Sequence, residues 1–153
     1  MLGRTHPFLY ALSALAMIAA VNSCATSADL AAFRASEVQL EDARVQALVN
    51  CTSREVCDQI WNRARLYVET HSRTPIRRMD DTSIETSMPH AAGIAWFWAE
   101  RLTNEAGITT IRLKGMCRGM YTTDGSPGLT YQVCADQIRQ AEADFRRTVD
   151  EHG

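Results

Sequence analysis

Neither sign of charge dominates this chain: sixteen Lys+Arg face eighteen Asp+Glu, a formal net charge of −2. A dedicated nucleic-acid binder carries a basic surplus to match the phosphate backbone, so nucleic acid is not an expected partner. No P-loop, GxGxxG, GxSxG or HExxH pattern occurs, and with them go the commoner nucleotide, hydrolase and metalloprotease signals. No CxxC or paired-His spacing occurs either, so neither a metal nor another cofactor is expected. What is there, 153 residues with 46% hydrophobic and 22% charged, is ordinary globular composition. One domain is the natural expectation at this length. Composition alone leaves the activity open.

The amino-terminal stretch says most. Arg4 precedes an uncharged run from Phe8 to Val21 in which Leu, Ala, Met and Ile dominate. As a helix that run is about 21 Å long at 1.5 Å per residue, short of a hydrocarbon core of ~30 Å. A charged start, a short apolar middle and a small-residue exit make residues 1–23 a secretory signal peptide. The exit, Val21-Asn22-Ser23-Cys24, resembles the bacterial lipobox, whose Cys is lipidated and becomes the mature amino terminus. Cys24 is therefore the expected lipidation site and membrane anchor. Ala25 after that Cys implies an outer-membrane lipoprotein facing the periplasm. Two alternatives stay open. Cleavage after Ala28 would give a soluble periplasmic or secreted product, and the charge-free stretch from Pro7 to Ala28 would suit an uncleaved anchor.

Residues 24–50 are expected to form a tether and a spacer helix, with Ser36 as its cap and Val38, Val45 and Leu48 on one side. The folded domain is expected over residues 51–153. Thr52-Ser53-Arg54-Glu55 is a capping-box pattern, Thr52 accepting from the backbone at Glu55. The helix it opens presents Val56, Cys57, Ile60, Trp61, Ala64, Tyr67, Val68 and His71 as a broad apolar face, and Pro75 prevents its continuation. Three strand-like runs follow. Ile76 to Thr86 has apolar ends around Asp80-Asp81, where a bulge or turn is expected. Gly93 to Leu102 is apolar on both alternating faces, Trp96 and Trp98 pointing one way and Ala95, Phe97 and Ala99 the other, as in the centre of a sheet. Ile108 to Cys117 turns Ile111 and Leu113 inward, and Asn104 to Gly107 joins it to the previous run as a hairpin. From Tyr131 a second helix carries Cys134, Ile138, Ala141, Phe145 and Val149 on one face, with Arg139, Glu142, Arg146 and Asp150 largely opposite. The order predicts a two-layer α+β fold, helix, three-stranded antiparallel sheet, helix, with both helices on one sheet face.

Of five cysteines, removing Cys24 leaves an even set: Cys51, Cys57, Cys117 and Cys134. In an exported protein these read as two disulfides. Cys51 just before the Thr52 cap and Cys57 one turn inside favour a Cys51–Cys57 bridge, leaving Cys117–Cys134. The crossed pairings, which close longer loops, stay open.

Cys51-x5-Cys57, Trp61 on the first domain helix, Ile84-Glu85-Thr86 at a strand end and Cys117 ahead of a Phe145-bearing helix together resemble a family of small exported proteobacterial proteins. Its members pair a signal peptide with a Cys-flanked helix, a short sheet and a closing helix, and have no assigned activity. The resemblance spans Cys51 to Val149 and implies location and fold alone.

Two classes of function are expected to compete. A binding protein would use Trp96 and Trp98, exposed if both helices cover the opposite sheet face, together with Arg73, Arg77 and Arg78, which suit an anionic glycan or an acidic protein partner. One concrete version is a protective inhibitor of an exported toxic enzyme. The alternative is a small envelope hydrolase in which His71 or His90 works with Asp80, Asp81 or Glu85 as a general acid–base pair. A non-catalytic envelope lipoprotein is the leading expectation.

Overall fold

The computed structural model describes the backbone of residues 7–150 and the side chains of residues 27–150. The side chain of the expected lipidation residue Cys24 lies outside the described residues. The chain divides into two compact units, Met1–Glu37 and Val38–Gly153. The first holds most of one long helix, α1 (Pro7–Gln46). Among the described residues, no helix is long and apolar enough to cross a membrane.

The second unit begins with the end of α1. Leu40 and Ala47 are fully buried there, whereas Val38 and Val45 are exposed. This corrects the expected stripe. Leu40, Ala43 and Ala47, spaced at i, i+3 and i+7, share the inward face, and the small alanines allow close approach. Ser36 lies inside the helix and is not its cap. Nor does the helix reach Asn50: the chain leaves it after Gln46 and enters strand β1 (Val49–Cys51).

Because Cys51 completes β1, Thr52 is used in leaving the strand, and the cap of helix α2 (Arg54–His71) falls one residue later than the capping box predicts. Ser53 sits in extended conformation and accepts a hydrogen bond from the Val56 amide at 3.3 Å. Cys57, Ile60, Trp61, Ala64, Tyr67 and Val68 are buried as expected, while Val56 at the first turn stays exposed.

The sheet has five antiparallel strands, not three, in the order β1-β5-β4-β3-β2. The added strands have separate causes. β1 is too short to show a period of two. The run from Ile76 to Thr86 divides into β2 (Ile76–Met79) and β3 (Ser83–Thr86), because Asp80 closes a turn between them. Its carboxylate accepts from the Thr82 amide, the Thr82 hydroxyl and the Ser83 amide at 2.8–2.9 Å. Those bonds, first from Thr82, and one from Arg78 hold the Asp80 carboxyl down at about 2. β4 (Ala95–Thr103) is central and pairs along its full length with β5 (Thr109–Cys117). Asn104 organises their hairpin, its side chain accepting from the amides of Ala106 and Ile108. Gly107 there has φ +78°, a conformation that other residues rarely adopt.

α2 and α3 (Tyr131–Asp150) both lie on the Ala95/Phe97/Ala99 face. Arg101, on that face of β4, holds Asp58 of α2 at 2.7 Å. Gly115, paired with Phe97, faces α3 so closely that a Cβ would meet Ile138 at 2.9 Å. The helices lock to one another where the Tyr67 hydroxyl donates to the Ala141 carbonyl at 2.8 Å and Phe145 meets the Tyr67 ring edge-on. Arg63 caps the end of α3 through the Val149 carbonyl. Glu142 departs from expectation. It is fully buried within the α3 stripe, because it follows Ile138 by four residues and precedes Phe145 by three.

Two disulfides tie these layers together. Cys51–Cys57 joins β1 to the first turn of α2, and Cys117–Cys134 joins the end of β5 to the start of α3, with Cα separations of 5.5 and 5.6 Å.

Candidate binding face

The sheet face opposite the helices carries one continuous cross-strand row. Arg78 of β2 pairs with Glu85 of β3, Glu85 with Trp98 of β4, and Trp98 with Lys114 of β5. Beside it, Ser83, Glu100 and Arg112 form a second row. Lys114 bends over the Trp98 ring, its Nζ 5.2 Å from the centroid, within reach of the ring's electrostatic attraction for a cation. Arg77, Glu85, Thr86, Met88, Trp96, Trp98 and Met116 line a shallow groove beside these rows.

The two indoles are not equivalent. Trp98 is partly exposed, but Trp96, at 9% relative exposure, is almost covered. It sits across from Met116 in the groove that Met88 also lines. The expectation of two open indoles thus holds for Trp98 alone, and the apolar contact surface is completed by the exposed Met88 and Met116. The Trp98 indole N–H is buried and, among the described residues, has no acceptor.

Charge on this face is tightly shared. Glu85 accepts from Arg77 at 2.9 Å and faces Arg78 at 3.5 Å. Both arginines reach it because the ladder shifts register between Ile76 and Arg78, a bulge that turns consecutive side chains to one side. Arg78 also holds Asp80. Glu100 takes Arg112 and Lys114. Partial burial pushes the Glu100 carboxyl up, but the bonds from Lys114 and Arg112 overcome it and leave the group below the usual carboxylate value. Four cations thus share three carboxylates across the sheet and its turn.

The expected arginine cluster is divided. Arg77 and Arg78 belong to this face, whereas Arg73 lines a separate cleft with Tyr67, His71, Ala95, Phe97, Gln137, Gln140, Ala141 and Asp144. Chain distance hid that division: Arg73 precedes Pro75, and the strand starts only at Ile76.

The histidines do not meet the carboxylates expected for them. Asp80 is spent in the β2–β3 turn, Glu85 is held by two arginines, and Asp81 is exposed. His71, at the end of α2, stacks on Tyr67 with centroids 3.9 Å apart, and its Nδ1 lies 3.0 Å from the Tyr67 carbonyl. Its Nε2 faces Asp144 of α3 at 3.7 Å, beyond a hydrogen bond. The Thr70 hydroxyl donates to the Leu66 carbonyl at 2.8 Å and lies 3.0 Å from Nδ1. His90 is exposed before β4. Sequence reasoning missed Asp144, whose signal is its place directly before the core residue Phe145. Among the described residues, no group of three or more His, Cys, Asp or Glu could hold a metal ion.

No family model, curated protein or solved structure matches this chain.

Proposed function

We propose that this is a cell-envelope lipoprotein, anchored at Cys24, that binds a protein partner through the face built on Trp98. The carrying observation is the row Arg78–Glu85–Trp98–Lys114, flanked by exposed Met88 and Met116. An aromatic anchor with flexible apolar neighbours and a charged rim is the make-up of a binding hot spot. A partner presenting acidic side chains around an apolar residue complements it, since cations outnumber carboxylates on the face. A protective inhibitor of an exported toxic enzyme is one such role, because tethering would hold it where the toxin acts.

Export rests on the leader in residues 1–23, the lipobox resemblance at Cys24, and two disulfides, which persist in oxidising compartments. Kinship with the small exported proteobacterial proteins belongs to the same proposal. The hydrolase alternative draws on the His71–Asp144 approach, but among the described residues no Ser, Cys or Thr lines that cleft, so it would have to act on water rather than through a hydroxyl or thiol nucleophile.

Two experiments test the reading. Replacing Cys24 by Ser abolishes fatty-acid labelling; labelling that persists removes the anchor. Affinity capture from native envelopes with the wild-type protein and with Trp98→Ala recovers a partner that the variant loses. An equal yield from both moves binding off this face.

A further inference from the structure

The cleft on the helix side of the sheet is a site of a different kind. Its cavity of about 310 Å³ falls at the small end of ligand pockets, the size for an amino-acid-scale molecule. The floor is apolar, built from Ala95 and Phe97 of β4 and Ala141 of α3; two of the three are alanines, and the space exists because they are small. The rim is polar and only partly engaged. Gln137 is occupied, accepting from the Ala95 amide and donating to the Gly93 carbonyl. Asp144 is countered by Arg147 and faces His71. The Tyr67 hydroxyl is committed to Ala141. Two rim groups remain: among the described residues, neither the Arg73 guanidinium nor the Gln140 amide makes a hydrogen bond or an ion pair.

The geometry points to a binding site for a small organic carboxylate, the acid held by Arg73 beside the Gln140 amide, the apolar body on Ala95, Phe97 and Ala141. A guanidinium presents a planar fork that matches a carboxylate in two parallel bonds. Asp144 opposes an anion, but Arg147 pairs with it, so the uncommitted cation sets the preference. This site is independent of the Trp98 face, which lies across the sheet.

Nuclear magnetic resonance titration of the isotope-labelled protein with 3-methylbutanoate, and separately with the neutral 3-methylbutanamide, tests it. The acid gives saturable shifts at His71, Ala95 and Ala141, and the amide binds at least about tenfold more weakly, a difference of about 1.4 kcal/mol. Arg73→Gln lowers the affinity for the acid by a similar factor, and Arg54→Gln, which removes a remote exposed charge, leaves it unchanged. Arg73 is exposed and, among the described residues, makes no hydrogen bond or ion pair, so its loss leaves the fold intact. Shifts that fail to saturate, equal binding of acid and amide, equal binding by Arg73→Gln, or shifts centred on Trp98 each overturn the proposal.

Discussion

Glu100 and Glu142 show how differently the two sides of the sheet treat a carboxylate. Glu100, on the open face, is partly buried yet bonded by Arg112 and Lys114, and its carboxyl lies below the usual value. Glu142, beneath the helix layer, is fully buried, and among the described residues neither oxygen has a hydrogen-bond partner. Burial drives its carboxyl up to about 7, against the opposing pull of Arg44. The open face thus keeps its charges and pairs them across the strands. The position that Glu142 occupies is core, and a charge there is a burden on folding.

That contrast can be broken at several points, starting with the largest effect. Phe145→Ala, in the fully buried centre of α3, costs about 3–5 kcal/mol of stability; denaturant unfolding measures it. A loss under about 1 kcal/mol would place the core elsewhere. Next is Glu142. Its folded value is raised above its ordinary 4.5, so between about 4.5 and 7 the folded state holds a proton that the unfolded state releases. Stability therefore falls as pH rises through this window, by about 1.4 kcal/mol per pH unit at most. The unfolding midpoint is higher at the acid end than at neutral pH. Glu142→Gln flattens that slope and raises stability above pH 7; a variant with the wild-type slope contradicts the assignment.

Smaller effects sharpen the other side. Trp98→Phe keeps a ring and deletes an indole N–H that has no acceptor among the described residues, so stability changes by less than about 1 kcal/mol. Trp96→Ala removes a nearly covered side chain and lowers the midpoint more than Trp98→Ala does, a ranking that thermal melts of the two variants report. Glu100→Gln also costs about 1 kcal/mol or less, since paired charges near a surface contribute little. If Glu100→Gln costs more than Phe145→Ala, the comparison of faces is inverted.

The sequence made parts of this legible for physical reasons. The central strand showed itself because Trp96-Phe97-Trp98-Ala99 is apolar on both sides of a period-two pattern. The α3 stripe followed from Ile138, Ala141, Phe145 and Val149 at helical spacing; the even set of cysteines gave two disulfides and favoured Cys51–Cys57, and the structure decides between that pairing and the crossed ones. The rest was hidden in short or three-dimensional features. β1 has three residues and continues a pattern that reads as helix. The bulge that sends Arg77 and Arg78 to the same carboxylate leaves no mark on residue type. Glu142 carries a charge that suggests the solvent side, although its spacing from Ile138 and Phe145 places it inward. Asp144 met His71 only once two helices far apart in the chain were packed together.

Oxidative footprinting of Trp98, Met88 and Met116, with and without the captured envelope partner, tests the central claim most directly. All three side chains reach solvent in the free protein. Binding through this face protects them together and leaves the rim of the His71 cleft as reactive as before. Unchanged oxidation at Trp98 and both methionines in the complex would contradict it.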